Sequence, residues 1–140
     1  MKRWMVLTAV LTAFIASNGL NRLGGADEKG IPKGDAPYVH SVVFYLKKDA
    51  PKGAAQDLIT DAYELLAKIP SVKNIKIGRP AEMSTPKYAV TDYQVGLLVL
   101  FENYDGLKTY LDHPLHLKYV DKNLQHVDKA LVYDFVNQTK

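Results

Sequence analysis

The sequence predicts an α+β domain with a four-stranded antiparallel sheet and helices on one face of that sheet. Segments rich in β-branched and aromatic residues alternate with amphipathic segments in the order β-α-β-β-α-β, which is the ferredoxin-like arrangement. Prolines and glycines separate the segments. The chain has 140 residues, which is the length of one domain.

The first half of the domain is expected to form a strand, a helix and a second strand. Residues 38–46 are β-branched and aromatic, with both faces largely apolar. In residues 54–69 the apolar side chains recur at spacings of three and four, as on one face of an amphipathic helix, and Pro70 ends this helix. Residues 72–78 form the second strand, and turn signals in residues 81–92 predict a long loop.

The second half adds a third strand, two helical pieces and a fourth strand. Residues 93–101 alternate in a way that places apolar side chains on both faces of the third strand. Asn103 or Asp105 can cap the next helix. That helix ends before Pro114, where a second helical piece begins and runs to about residue 127. The apolar stripe expected on this piece is Leu117, Val120, Leu124 and Val127.

Three of the four strands, including the last one at residues 130–136, are apolar on both faces. A sheet that helices cover on one side only should instead alternate between apolar and polar residues. A second copy of the same sheet is the simplest cover for the remaining face. The sequence therefore predicts a homodimer whose sheets pack face to face in a closed, barrel-like interface.

The first 26 residues are expected to be an export signal rather than part of the fold. Lys2 and Arg3 give a basic start, Trp4 to Ala16 is an uncharged apolar run, and small residues precede Asp27. The run of about 13 residues is shorter than the ~20 needed to span a bilayer. Cleavage is therefore expected, with retention as a single-pass anchor as the alternative. The expected location is the periplasm or cell envelope of a bacterium, with secretion as a further option.

Composition excludes several classes of partner and site. The net charge of +3 comes from 18 basic and 15 acidic residues, and three basic but no acidic residues precede Asp27. The exported part is therefore neutral and lacks the basic excess of a nucleic-acid-binding protein. No membrane partner is expected once the signal is removed. The absence of cysteine excludes disulfides and thiolate metal sites. We predict no cofactor and no metal site.

The exported part divides into three segments. Residues 27–37 contain glycines, prolines and mixed charges, which is typical of a flexible tether. Residues 38–136 form the folded domain, and residues 137–140 are a short C-terminal tail.

The segment 104–116, read as YDGLKTYLDHPLH, gathers most of the candidate chemistry at one helix-helix corner. His116 follows Pro114 on the first turn of a helix, where the helix dipole disfavours a protonated imidazole. His116 is therefore a candidate general base, and the alternative is that it only ties the corner together. His113 is expected to cap a helix end. The phenol of Tyr110 could stabilise a developing enolate or simply pack its ring.

His40 is a further candidate, on the first strand. It shares strand parity with Val42 and Phe44, which places the three side chains on one face. Either His40 is a core histidine bonded to a backbone carbonyl, or it is a pocket residue that binds or deprotonates a ligand.

Several short motifs follow one another in a specific order along the domain. They are His-x-Val-x-Phe in the first strand, Ile-Pro at the end of the first helix, Ile-Gly-Arg, then Tyr-(strand)-Phe-Glu and Tyr-x-x-His-Pro-x-His. In this order they resemble the stress-responsive α/β-barrel family, usually called Dabb. The resemblance extends roughly from Tyr38 to Val136. The matching residues are His40, Val42, Phe44, Ile69, Pro70, Ile77, Gly78, Arg79, Tyr93, Phe101, Glu102, Tyr110, His113, Pro114, His116 and 132–135.

The resemblance implies a ferredoxin-like protomer and a dimeric α/β barrel. One plant branch of the family cyclises linear polyketides with histidine and tyrosine side chains in a pocket between sheet and helices. This chain retains three of the branch's polar positions, as His40, Tyr110 and His116, and has Val95 where the branch carries another histidine. The expected pocket is thus mostly apolar, and the expected ligand-binding residues are His40, Val42, Phe44, Val95, Tyr110 and His116.

Three functional hypotheses follow. The first is a homodimer that binds a small apolar or carbonyl-containing molecule in this pocket. The second is an enzyme of cyclase or isomerase type, in which His116 abstracts a proton next to a carbonyl while Tyr110 or His40 polarises the oxygen. The third is a structural assembly module without a ligand.

Overall fold

The computed structural model describes residues 34–83 and 87–138. The predicted export signal and most of the predicted tether lie outside the described residues. In the part of the chain that is described, no helix is long and apolar enough to cross a membrane.

The predicted order of strands and helices is confirmed. Two of the helical segments continue into short 3₁₀ turns, which follow α1 and α3. In chain order the elements are β1 (Tyr38–Leu46), α1 (Ala54–Glu64), a 3₁₀ turn (Leu66–Lys68), β2 (Asn74–Gly78), β3 (Val95–Phe101), α2 (Tyr104–Leu111), α3 (Pro114–Asn123), a second 3₁₀ turn (Leu124–His126) and β4 (Val127–Val136).

The four strands form one antiparallel sheet in the order β2-β3-β1-β4. The register places His40 of β1 between Val99 of β3 and Asp134 of β4. Because side chains alternate along each strand, these three residues share one face of the sheet. The helices cover that face.

The core lies between the sheet and the helices. Its largest fully buried side chains come from α1, β3 and the α2–α3 region, as the apolar patterns predict. They are Tyr110, Phe101, Leu58, Leu66, Ile69, Val95 and Val99.

Two helices are shorter than predicted because each is followed by a 3₁₀ turn. The turn at Leu66–Lys68 follows α1, and the turn at Leu124–His126 follows α3. In such turns, backbone bonds to the third residue along the chain satisfy the last helical carbonyls. β4 then begins at Val127, inside the segment that was predicted to be helical.

The strands β2 and β3 begin later than predicted. β2 begins at Asn74, because the Val72 N–H closes a turn instead of joining the sheet. β3 begins at Val95, and the side chain of Gln94 just before it accepts the Leu46 N–H at 2.8 Å. One further backbone bond precedes each strand, from the Lys73 N–H to the Leu100 carbonyl at 2.9 Å and from the Gln94 N–H to the Phe44 carbonyl at 3.0 Å.

The face that α3 buries also differs from the predicted stripe. Leu117 belongs to that stripe but is 56% exposed, whereas Tyr119 and Asn123 are buried. On α1, the buried carboxylate of Asp61 accepts hydrogen bonds from Asn123 Nδ2 at 2.9 Å and from Lys122 Nζ at 2.7 Å. These polar contacts set the rotation of α3, and apolar spacing alone does not reveal them.

Candidate functional site

The corner between α2 and α3 forms where the sequence predicts it. Asn103 caps α2, its side chain accepting the Gly106 N–H at 3.0 Å. His113 has an extended backbone, and Pro114 occupies the first turn of α3. The His113 ring accepts the Leu115 N–H through Nδ1 at 3.1 Å. His113 is therefore the N-cap of α3, in agreement with the expectation that it caps a helix end.

The His116 side chain is held by a backbone group of the preceding helix. Its Nδ1 lies 3.0 Å from the carbonyl oxygen of Leu111. A carbonyl oxygen can only accept, so Nδ1 carries the proton and Nε2 of the neutral ring keeps its lone pair. Burial is the largest effect and lowers the pKa of His116. The hydrogen bond with the Leu111 carbonyl raises this pKa and repulsion from His40 lowers it, and the net shift is downward. The neutral, base-competent form of His116 is thus favoured.

His40 pairs with a carboxylate on the neighbouring strand. It is 7% exposed, and its Nδ1 lies 2.7 Å from Asp134 Oδ1. A carboxylate oxygen can only accept, so Nδ1 of His40 donates to Asp134 and Nε2 takes no part in this pair. The sequence interpretation had allowed a backbone carbonyl as partner and did not include Asp134. The feature that could have identified Asp134 as this partner is the position of an aspartate in the middle of the otherwise apolar segment 131–136.

Tyr110 lies between the two histidines. Its ring centroid is 4.6 Å from that of His116, 6.0 Å from that of His40 and 5.1 Å from that of Phe101. Tyr110 is 1% exposed, and its hydroxyl has no hydrogen-bond partner among residues 34–83 and 87–138. Burial raises the pKa of Tyr110, so the phenol stays neutral and can donate.

A cavity of about 180 Å³ opens between the sheet and the corner. Five of the six predicted ligand-binding residues line it, and Val95 does not. Val95 is fully buried in the core opposite Phe44. The lining residues are His40, Val42, Phe44, Leu97, Tyr110, Leu111, His116, Tyr119, Val120, Leu124, Ala130 and Val132.

The lining residues that sequence reasoning missed come mainly from α3 and β4. Tyr119 lines the cavity, and its hydroxyl donates to the Leu58 carbonyl at 3.2 Å, which links α3 to α1. On β4, Ala130 and Val132 share strand parity with Asp134. Val132 is 51% exposed, so the cavity wall on this side faces solvent in the single chain.

The polar groups at the cavity are two imidazoles and one phenol. In the described ranges 34–83 and 87–138, no cluster of three or more histidine, aspartate or glutamate residues is arranged to hold a metal ion. The neutral forms offer two acceptor nitrogens, Nε2 of His40 and Nε2 of His116, and one donor, the Tyr110 hydroxyl. Such a set can bind a carbonyl-containing molecule or move a proton without a bound metal.

Fold and cavity together define a ferredoxin-like domain with a small apolar site between its sheet and helices. A sequence model of the stress responsive A/B barrel domain, Dabb, matches residues 39–137. The chain belongs to this family, and the family prediction is confirmed. No curated protein matches the chain.

Solved structures share the fold. A Dabb-family protein with a ferredoxin-like fold from Mesorhizobium loti is 27% identical, with a TM-score of 0.60 over 75% of this chain and 100% of that chain. A dimeric protein of unknown function from Bacteroides fragilis is 25% identical, with a TM-score of 0.55 over 74% of this chain and 99% of that chain. Hydroxynitrile lyase from Passiflora edulis is 15% identical, with a TM-score of 0.62 over 75% of this chain and 96% of that chain.

Proposed function

We propose that the protein is an exported homodimer that binds a small, largely apolar ligand in the cavity between its sheet and helices. The observation that carries this proposal is the Tyr110 hydroxyl. The Tyr110 side chain is buried, its hydroxyl lies at the cavity, and no residue in 34–83 or 87–138 accepts its proton. The hydroxyl is therefore available to donate a hydrogen bond to a ligand oxygen.

The size of the cavity limits the ligand. About 180 Å³ is comparable to the ~150 Å³ apolar cavity that holds one benzene molecule. One substituted ring or a short branched aliphatic chain therefore fits. The lining is mostly aliphatic and aromatic, which favours an apolar body. The phenol and the two imidazoles favour one carbonyl or hydroxyl group on it.

The homodimer is supported by the uncovered face of the sheet. Tyr133 and Phe135 point away from the helices and are 55% and 54% exposed. Soluble chains rarely leave such a surface to water. The Bacteroides fragilis relative is itself described as dimeric. Export is supported by the basic and apolar start of the sequence alone.

A second candidate function is proton transfer. It is favoured by the hydrogen bond that gives His116 its Nδ1 proton and leaves Nε2 free beside the Tyr110 ring. His116 Nε2 would take a proton from the carbon next to a ligand carbonyl, and the electron pair of that C–H bond would form the enolate. Tyr110 would donate a hydrogen bond to the enolate oxygen. The lyase from Passiflora edulis is an enzyme on the same fold.

Binding can be tested with a small aromatic ketone such as acetophenone. We expect saturable chemical-shift changes in NMR spectra, at the residues that line the cavity. Tyr110→Phe should weaken binding about tenfold, because it removes one hydrogen bond to the ligand. Tyr104→Phe is the matched control, because Tyr104 is 60% exposed and does not line the cavity. Equal affinity in the wild type and Tyr110→Phe would contradict the proposed role of Tyr110.

The enzymatic candidate has its own readout. If His116 abstracts the proton, the wild type should exchange the α-protons of acetophenone for deuterium faster than buffer does, and His116→Ala should lose this exchange. If acetophenone binds but its α-protons do not exchange, the ligand-binding proposal stands and proton abstraction from this ketone is excluded. No binding of any small carbonyl compound, together with a stable dimer, would favour the third hypothesis, a structural assembly module.

A further inference from the structure

Two histidines join α2 to α3 from opposite sides of the corner. His113 follows the end of α2, and its Nδ1 accepts the Leu115 N–H in the first turn of α3 at 3.1 Å. His116 lies in that first turn, and its Nδ1 donates to the carbonyl of Leu111, the last residue of α2, at 3.0 Å. Each imidazole thus satisfies a backbone group that a helix end by itself leaves without a partner.

The His113 ring is the side chain that holds the first turn of α3. Pro114 has no N–H, and the Leu117 N–H already donates to the His113 carbonyl at 3.1 Å. Leu115 is half-buried and packs against the core, and His116 is the next residue. The bond from the Leu115 N–H to the His113 ring therefore helps to set the position of the turn that carries His116.

Histidine is an unusual N-cap, because protonation removes its acceptor. Serine, threonine, asparagine and aspartate are the preferred caps. The neighbouring helix α2 has such a cap, since the side chain of Asn103 accepts the Gly106 N–H at 3.0 Å. An amide oxygen accepts whatever the pH, whereas an imidazole nitrogen accepts only while it is unprotonated, and imidazoles change charge between about pH 5 and pH 8.

A protonated His113 has no partner in the closed corner. Its Nδ1–H would point at the Leu115 N–H, donor against donor. The last carbonyls of α2 are occupied, that of Tyr110 by the His113 N–H and that of Leu111 by His116. No charged side chain in residues 34–83 and 87–138 forms an ion pair or a hydrogen bond with the His113 ring. Those on the surrounding elements are Asp57, Asp61 and Glu64 on α1, Lys68 on the 3₁₀ turn after it, Asp105 and Lys108 on α2, Asp112 at its end, Lys118, Asp121 and Lys122 on α3, and His40 and Asp134 in the sheet.

We propose that His113 is a positioning residue of the candidate site, and that its protonation opens the corner, displaces His116 and releases the ligand. The inference rests on the proposed ligand-binding function and adds its regulation by pH. In the closed corner Nδ1 of His113 carries no proton, so the closed form binds one proton fewer than the open form. Acid therefore shifts the equilibrium toward the open corner.

The two histidines of the corner respond differently to acid. A protonated His116 keeps its Nδ1–H on the Leu111 carbonyl and loses only the Nε2 acceptor. A protonated His113 instead loses its bond with Leu115. Titration of His116 thus changes the chemistry of the cavity while the corner stays closed. Titration of His113 moves a wall of the cavity, because Leu111 and His116 both line it.

Amide exchange measures the cap without any ligand, in the protein expressed from its full 140 residues. Between about pH 8 and about pH 5.5, the Leu115 amide of the wild type should lose about fivefold in protection, corrected for the intrinsic exchange rate. The Gly106 amide is the internal control, because its cap Asn103 does not titrate, and it should keep its protection. Imidazole ¹⁵N spectra at about pH 8 should show an unprotonated Nδ1 in His113 and a protonated Nδ1 in His116.

Two substitutions of His113 separate a cap that responds to pH from one that only holds the helix. His113→Asn supplies an acceptor that does not titrate, and it should keep Leu115 protected at both pH values. His113→Ala supplies no acceptor, and it should show the about fivefold loss at both. Circular dichroism checks that both variants fold. Acid loss in His113→Asn equal to that of the wild type, or full protection of the wild type in acid, would overturn the inference.

Acetophenone binding connects the cap with the site. At about pH 8, His113→Ala should bind about fivefold more weakly than the wild type, and His113→Asn should restore the affinity. Between about pH 8 and about pH 5.5 the dissociation constant should rise about fivefold less in His113→Asn than in the wild type, and the remaining rise belongs to His116. Equal rises would overturn the coupling of His113 to the site. If acetophenone binds to none of the three proteins, the proposed ligand-binding function is contradicted for this ketone, and the Leu115 exchange alone decides on the His113 cap.

Discussion

The Nδ1 atom of His40 lies 2.7 Å from Oδ1 of Asp134, although 94 residues separate them in the sequence. The pairing of β1 with β4 places the two residues directly opposite each other. A hydrogen bond with a carboxylate is stronger than one between neutral groups. This contact therefore fixes both the orientation of the His40 ring and the nitrogen that faces the cavity.

Replacing Asp134 tests the importance of this contact. Asp134→Asn removes the charge, and we expect the free energy of unfolding to fall by about 1 kcal/mol. The value is modest because the Asp134 side chain is 38% exposed. Urea denaturation measures the change. Asp128→Asn, on the same strand and exposed, is the control and should change the free energy by less than about 0.5 kcal/mol. Equal effects of the two variants would contradict a specific His40–Asp134 contact.

Two buried tyrosines provide a matched comparison. The Tyr119 hydroxyl donates to the Leu58 carbonyl at 3.2 Å, whereas the Tyr110 hydroxyl has no partner among residues 34–83 and 87–138. Tyr119→Phe should therefore lower the free energy of unfolding by about 1 kcal/mol. Tyr110→Phe should change it by less than about 0.5 kcal/mol. Thermal or urea unfolding of the ligand-free protein measures both, and a larger loss for Tyr110→Phe would show that its hydroxyl is bonded within the protein.

Asp61 should make stability depend on acidic pH. Burial is the largest single effect and raises the pKa of Asp61. The hydrogen bonds from Lys122 and Asn123 and the positive charges of Lys122 and Lys118 together outweigh it, so the net pKa is below its ordinary value. The stabilisation is present above the unfolded pKa of ~3.9 and is lost as pH falls through the lower folded pKa. Unfolding midpoints between about pH 5 and pH 2 should fall less steeply in Asp61→Asn than in the wild type. Identical slopes would contradict this assignment.

Asp61→Ala removes the polar link between α1 and α3 at neutral pH. It leaves the buried amide of Asn123 without its carboxylate partner. We expect a loss of about 2 kcal/mol in the free energy of unfolding. Lys122 contributes little to this figure, because its side chain is 57% exposed. Lys122→Ala is the control, and a loss as large as that of Asp61→Ala would contradict this division.

His116 should titrate below the ordinary histidine pKa of ~6.5. Burial lowers the pKa of His116, and repulsion from His40 adds to this effect. The unfolded chain then binds a proton before the folded one does. Stability should fall as pH decreases from about 6.5 toward the folded pKa. NMR titration of the ring protons gives the folded value directly, and His116→Asn should reduce the loss of stability over this pH range.

The sequence predicts the α2–α3 corner well because its signals are local. Asn103 precedes α2 as an N-cap, and the proline at 114 both ends one helix and begins the next. The rotation of α3 is less predictable, because Asp61 on another helix sets it through Lys122 and Asn123. No periodicity within α3 contains that information.

By itself the sequence determined the order of the elements, the family, and three polar residues of the cavity, because periodicity, prolines and a motif of adjacent residues are properties of neighbouring positions. Only the tertiary structure decided which of their atoms are free. In both histidines the hydrogen-bond partner of Nδ1, Asp134 for His40 and the Leu111 carbonyl for His116, shows that Nδ1 carries a proton. The Tyr110 hydroxyl has no partner within the described chain and remains a donor at the cavity. These facts depend on strand register and helix packing, which bring together groups that are distant in the chain.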